Sequence, residues 1–266
     1  MVVSHRIILR KPAEMEVKNL VNKIDQVYSK PKLNRLKARL MANEVLRLLK
    51  PNFSYRVLSE LTGVPESVLC RYVRGNIIPS YEQAISILAR ISLSIDINSL
   101  LKELVEREKS TIIDLSRVLK DPYIIRLLAI LLSIELTGTN ISKIIVTSES
   151  VLPLATMLGL ELNSPIVLVK RRAYPGIQYY SAIIVRSPRE TETIYIDRDL
   201  LSRRDNLLVL ADVIYTGKTM SAVLGLIAKS KAKVSKIVVV LSIGEQWRSR
   251  LADYEIKTLT TIPFPL

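Results

Sequence analysis

Apolar residues recur at helical spacing through the first part of the chain: Val17, Leu20, Val21, Ile24 and Val27 in one segment, Leu33, Leu36 and Leu40 in the next. Intervals of three and four residues predict amphipathic helices with one apolar face. Helical patterning continues through LLKELVEREK to about Lys109. From Ser110 the period changes. Short runs rich in Ile and Val (TIIDL, KIIVTS, PIVLVK, YYSAIIVRS, TIYID, NLLVLAD, KIVVVLS) alternate with helical stretches (DPYIIRLLAILLSIELTG, SVLPLATMLGLEL and a segment from about Thr219 to Ala232). Continuous apolar strands separated by helices read as a mainly parallel sheet covered on both faces. The expected organisation is an all-α domain over 1–108 and an α/β domain over 109–266, with no internal repeat.

Composition narrows the possibilities. A net charge of +14 attracts polyanions, with nucleic acid and anionic membranes as the usual partners, although a thermophile's ion-rich surface is equally basic. A single cysteine, Cys70, forbids an internal disulfide. With His5 as the one histidine, neither a Cys/His metal cluster nor a Ser-His-Asp site at a structured position is available. The start of the chain has too short an apolar run for a signal peptide. IIRLLAILLSIEL is the longest apolar stretch and falls short of a membrane span. A cytoplasmic protein with no membrane partner is expected.

The first motif that carries chemistry is SYRVLSELTGVPESVLCRYVRGNIIPSYEQAISIL. Tyr55 to Leu61 predicts a short helix, Thr62–Gly63–Val64 a tight turn and Pro65 to Arg74 a second helix that Gly75 ends. Leu69 and Val73 are expected to face inward with Val57 and Leu61. That leaves Glu66, Ser67, Cys70, Arg71 and Arg74 outward, an arrangement suited to base edges and phosphates in a DNA major groove. Arg71 is the candidate for bidentate contact with guanine and Arg74 for phosphate. Across its spacings, TGVPESVLCRYVRGNIIPS resembles the phage-repressor class of helix-turn-helix, including the tail Gly75, Pro79, Ser80. The resemblance implies a helix-turn-helix over about 54–80 that binds a double-stranded DNA operator. The basic segment from Lys30 to Arg39 would add phosphate contacts.

The second motif is LLVLADVIYTGKTMSAVLGLI. An apolar strand ends near Asp212, a turn runs Tyr215–Thr216–Gly217–Lys218–Thr219, and a helix follows. Backbone N–H groups at such a turn and helix start can cradle a monophosphate, and a carboxylate at the strand end can accept from ribose hydroxyls. A Walker-A loop is excluded, because its first glycine would fall at Asp212. The chain here resembles the type I phosphoribosyltransferases. Leu207 to Thr219 follows their motif for phosphoribosyl pyrophosphate (PRPP), except that Ala211 stands at the first acidic position. TIIDLSRVLKDP (Thr111–Pro122) is similar to the opening of adenine phosphoribosyltransferases, and IIVTSESVLPLATMLGLELNSPIVLVKRR to the family's pyrophosphate-loop strand, helix and next strand. The resemblance implies a type I phosphoribosyltransferase fold. Ser148, Glu149 and Ser150 would form a pyrophosphate loop, Lys170 and Arg171 a basic pair, and Ala173 to Arg189 a flexible closing loop. It also implies PRPP as ligand, with Mg2+ as an optional companion.

ADVIYTGKTM is most similar to the 6-oxopurine transferases, where an acidic residue at the position of Tyr215 acts as general base. A phenol with a pKa of about 10 is no base at neutral pH. Ala211 removes a ribose-holding carboxylate, and Val151 stands where relatives often have Gly. These departures favour ligand binding without turnover, so no catalytic residue is assigned. Helix-turn-helix joined to such a domain resembles the bacterial purine repressors and the archaeal transferase-like regulators of glucose–fructose catabolism. The combination implies a homodimeric transcription regulator, archaeal and thermophilic in character and tied to nucleotide metabolism. The alternative is an active purine or orotate phosphoribosyltransferase with an accessory nucleic-acid-binding domain. Trp247 and Tyr254 are expected to pack rather than stack on a base.

Overall fold

The computed structural model describes residues 10–107 and 115–263. His5, the boundary near 108 and the first four residues of TIIDL lie outside the described residues. The chain divides into two compact units, one comprising 1–100 and 126–139, the other 101–125 and 140–266.

The first unit is helical: α1 (Glu14–Tyr28), α2 (Lys32–Leu49), α3 (Tyr55–Thr62), α4 (Glu66–Val73), α5 (Tyr81–Ser94), the start of α6 (Ile97–Arg107) and, beyond the short α7 (Leu115–Val118), most of α8 (Pro122–Glu135). Ser54 and Ser80 cap α3 and α5 through their hydroxyls, satisfying amides that the first turn leaves open. Ile24, Leu46, Leu49, Leu58, Leu69, Ile87, Leu88 and Ile91 are fully buried. Arg126 binds Glu44 in a bidentate pair, each bond 2.7 Å. One expectation fails here. Leu33, Leu36 and Leu40 are exposed, at 71%, 40% and 50%. The buried face of α2 is Ala38, Met41, Ala42, Val45, Leu46 and Leu49, which packs on α5. Two apolar stripes share this helix, and periodicity alone does not rank them.

The second unit holds a five-stranded sheet in the order β2-β1-β5-β6-β7, every neighbouring pair parallel. The strands are β1 (Lys143–Val146), β2 (Ile166–Leu168), β5 (Asn206–Ile214), β6 (Lys233–Ile243) and β7 (Ile256–Ile262). Helix α9 (Leu152–Leu162) joins β1 to β2, and α10 (Lys218–Ser230) joins β5 to β6. The order reverses between β1 and β5, so right-handed crossovers place α9 and α10 on opposite faces. Burial agrees, since Ile144 and Ile145, and Leu208 and Val209, are equally excluded from solvent although they point to opposite faces. This is the α/β class and parallel sheet that the sequence pattern predicts. β7 was not anticipated. Its threonines alternate with Leu259 at the sheet edge, too polar to read as a buried strand.

Between β2 and β5 lies an antiparallel ribbon of β3 (Tyr179–Ser187) and β4 (Glu190–Asp197). Nine of the residues expected to form a flexible closing loop are therefore strand. Ile184, Ile194 and Ile196 bury one face of the ribbon in the core shared with α10, which accounts for its order. Lys170 completes the attachment, pairing backbone with Tyr195 at 2.9 Å in both directions.

Candidate phosphoribosyl-ligand site and helix-turn-helix face

The carboxyl ends of β1 and β5 meet where the strand order reverses, and a cavity of about 300 Å³ opens there. Ligands of open α/β sheets bind at such a switch point. Its walls are Thr147 and Ser148 after β1, the run Ala211 to Met220 from β5 into α10, and two arginines, Arg171 and Arg186.

The loop between β5 and α10 is shaped by Gly217. Its φ is +73°, and it caps the helix N-terminus. A Cβ here would meet Leu251 Cδ1 at 3.2 Å and Trp247 Cβ at 3.3 Å, so both backbone conformation and space call for glycine. The first amides of α10 have no intrahelical partner and carry the positive end of the helix dipole, the requirements for holding a monophosphate. Arg250 Nε donates to the Thr216 carbonyl at 3.1 Å and steadies the loop from outside.

Asp212 is half-buried on the cavity wall. Ser150 Oγ donates to Asp212 Oδ2 at 2.7 Å, and Ser150 and Ser148 share a second hydrogen bond of 2.8 Å. The serine loop after β1 thus orients the carboxylate. Tyr215 is exposed at the rim, and Ala211 is buried against the core.

Of the residues expected at this site, Ser148, Arg171, Asp212, Tyr215, Thr216, Gly217, Lys218 and Thr219 line the cavity. Ser150 reaches it only through Asp212. Glu149 is exposed in the turn before α9, outside the lining. Lys170 is directed elsewhere, its Nζ lying 5.3 Å from the Tyr174 ring and 5.7 Å from Tyr179. Adjacent strand residues face opposite ways, so the basic pair splits and Arg171 alone lines the cavity. Arg186 was missed, since no motif marks it. Trp247 is core, 3% exposed, with Nε1 donating to Ser242 Oγ at 2.8 Å.

In the helical unit, α3 and α4 are eight residues each, joined through Gly63 in the left-handed conformation at φ +72°. Pro65 precedes α4 as its N-cap. Leu58, Leu61, Leu69 and Tyr72 face inward, whereas Val57 and Val73 are only half-buried. The inward stripe lies one position from the expected one, because a two-turn helix leaves its facing ambiguous to within a residue. Glu66, Ser67, Arg71 and Arg74 are exposed. Cys70 is half-buried against Tyr55, whose phenol is held above its usual pKa by burial and by the hydrogen bond with Cys70. Arg39 Nε donates to the Pro79 carbonyl at 2.7 Å, and Arg35 lies 4.5 Å over the Tyr81 ring. Two of the basic residues before the motif thus brace its C-terminal flank.

The parallel sheet, the switch-point cavity and the glycine turn at the start of α10 define a protein of type I phosphoribosyltransferase fold. Solved structures agree at the level of fold: adenine phosphoribosyltransferase from Rhodothermus marinus aligns with a TM-score of 0.53 at 23% identity, covering 62% of this chain and all of that one. The enzyme from Thermoanaerobacter pseudethanolicus gives 0.52 at 19%, covering 58% and 90%. No family model matches the chain. Among curated proteins, hypoxanthine/guanine phosphoribosyltransferase of Methanotorris igneus is 30% identical over 148 residues, 53% of this chain and 77% of that protein. The protein of the same name from Ferroglobus placidus is 32% identical over 130 residues, 48% and 68%. The chain belongs to the hypoxanthine/guanine phosphoribosyltransferase family. No helix among the described residues is long and apolar enough to cross a membrane.

Proposed function

We propose that the cavity binds PRPP, or a nucleotide sharing its ribose 5-phosphate, and that the protein is a transcription regulator that reads this ligand. The observation that carries the reading is the cavity's acid content. Asp212 is the single carboxylate among the lining residues, with Ala211 and Tyr215 at the two positions where a transferase would place others. The ribose and phosphate positions keep their chemistry, while the position for proton abstraction from a purine lacks a group that is basic at neutral pH. Mg2+ would travel with the ligand, its coordination coming mostly from diphosphate oxygens and water. Among the described residues no group of three metal-ligating side chains exists to bind it alone. The exposed Glu66, Ser67, Arg71 and Arg74 on α4, with Cys70 beside them, form the DNA-reading face in this proposal, and two copies would meet an operator as a homodimer. The domain division at about 108 is the functional division it implies.

A second reading is favoured by a specific finding: the most similar curated relatives are named hypoxanthine/guanine phosphoribosyltransferases. In that reading the protein transfers a ribosyl 5-phosphate from PRPP to a 6-oxopurine, and the helical unit is an accessory nucleic-acid binder. One experiment separates the two. PRPP and Mg2+ are titrated into the wild type and Asp212→Asn by calorimetry, while radiolabelled hypoxanthine, guanine, adenine and orotate are assayed for nucleotide formation. PRPP binding lost in the variant without any nucleotide formed is the expected result. Turnover with hypoxanthine or guanine that Asp212→Asn abolishes establishes the enzyme instead.

A further inference from the structure

We infer that Arg186 and Arg171 form a second anion subsite on the cavity wall, and that Glu192 is its built-in competitor, released when a diphosphate enters. The inference rests on the phosphoribosyl reading of the cavity and adds to it a residue that no motif identifies.

Arg186 stands at a break in the β3–β4 ladder. Val185 pairs with Thr191 and Ser187 with Glu190, so Arg186 is the extra residue of a β-bulge. A bulge re-aims one side chain out of the pleat, and bulges gather beside functional sites. Here the re-aimed residue lines the cavity. The neighbouring backbone is anchored to the phosphate loop, with Lys218 Nζ donating to the Val185 carbonyl at 3.0 Å.

Glu192 lies on β4, opposite Ile184. Residues 192, 194 and 196 share a face, so the carboxylate continues the inward row of Ile194 and Ile196 toward the cavity. A carboxylate on an apolar inward face requires charge compensation. Two guanidinium groups supply it. Arg171 Nε is 2.8 Å from Glu192 Oε1, and Arg186 reaches Oε2 through Nη2 at 2.5 Å and Nε at 3.0 Å. Both arginines stay more than a third exposed, at 38% and 36% of their side chains, so they remain open to an incoming anion. Arg171 also donates through Nη2 to the Thr147 carbonyl at 3.3 Å, which fixes it at the end of β1.

One carboxylate thus occupies two arginines beside a cavity whose other cationic wall residue is Lys218. A diphosphate carries more charge and more acceptor oxygens than Glu192, and planar guanidinium groups favour bidentate contact with it. Exchange of partners at Arg171 and Arg186 lets the ligand bind without creating new buried charge. It also detaches β4 from the arginine at the end of β2, so the ribbon senses whether the subsite is filled.

The test uses the full chain and two probes, inorganic pyrophosphate and ribose 5-phosphate, titrated by calorimetry at low salt. Arg186→Gln is expected to weaken pyrophosphate about tenfold, the scale of one charge-assisted hydrogen bond, and to leave ribose 5-phosphate within about twofold. Glu192→Gln is expected to strengthen pyrophosphate binding several-fold, and hydrogen exchange of β3 and β4 should respond to pyrophosphate in the wild type but less in this variant. Unchanged pyrophosphate affinity in Arg186→Gln overturns the inference. So does an equal loss of both probes, which would mark a merely structural role. If ribose 5-phosphate fails to bind while pyrophosphate binds through Arg186, the subsite stands and the phosphoribosyl reading falls. If neither binds the wild type, both fall.

Discussion

At the scale of single residues, Gly217 and Asp205 show how much rests on one side chain or its absence. Gly217 holds a left-handed backbone against Leu251, Trp247 and Arg250. Gly217→Ala should cost about 1–2 kcal/mol for the backbone conformation alone, with further loss from the close contacts. In a chain of this size that lowers Tm by about 2–4 °C per kcal/mol, and ribose 5-phosphate binding should disappear in the same variant. Asp205, before β5, is buried, which raises its pKa, yet the net shift is downward. Lys143 Nζ at 2.9 Å, the Ser202 amide at 2.7 Å and the Ser142 hydroxyl at 3.2 Å outweigh desolvation. A carboxyl lowered in the folded state stabilises fully above its ordinary value of 3.8 and loses that contribution as pH falls through the folded value. Denaturant melts of the wild type should therefore steepen in pH dependence below about pH 4, and Asp205→Asn should be less stable at neutral pH with a flatter acid limb.

Among the elements, the strands of the parallel sheet were legible because burial on both faces makes them continuous apolar runs. The β5–α10 loop was legible because one glycine, two threonines and an acid sit at fixed spacing. The ribbon's contribution was not. Arg186 is singled out by a bulge, and a bulge is a fact of register between two strands, absent from the spacing of either. Glu192 reads in sequence as one acid in a polar stretch, and only its place in the row with Ile194 and Ile196 turns it inward. The helix pair α3–α4 shows the same limit more mildly. Its turn was readable from Gly63, but its facing was displaced by a residue, with Leu58 and Tyr72 buried in place of Val57 and Val73. That correction has a measurable consequence. Leu69→Ala should destabilise the chain by about 2–5 kcal/mol, the range for emptying a buried leucine site, whereas Val73→Ala should cost clearly less. Arg71→Gln and Arg74→Gln, both exposed, should change stability within about 0.5 kcal/mol. Urea melts of the four variants check the ranking.

For the whole molecule, the charge of +14 sets how the proposed regulator would meet DNA. Each phosphate neutralised releases condensed counterion, so affinity for any duplex should fall linearly on a log–log plot against salt, and Arg74→Gln should reduce that slope by about one. Charge alone brings no selectivity, and a basic surface of thermophile type would bind every sequence equally. Selectivity would come from α4, so Arg71→Gln should relax discrimination between a selected site and random duplex by about 1–3 kcal/mol, with a smaller effect on random duplex itself. Coupling between the cavity and DNA is the sharper consequence of the proposal. If PRPP changes affinity for a selected site by some factor, then that DNA must change PRPP affinity by the same factor, because both measure one free-energy difference. Fluorescence anisotropy of a selected duplex at saturating PRPP, and PRPP calorimetry at saturating duplex, should give equal ratios, and Asp212→Asn should bring the first ratio to one. Selected DNA whose affinity ignores PRPP would separate the two units functionally, leaving a phosphoribosyl-binding domain that happens to be joined to a DNA binder.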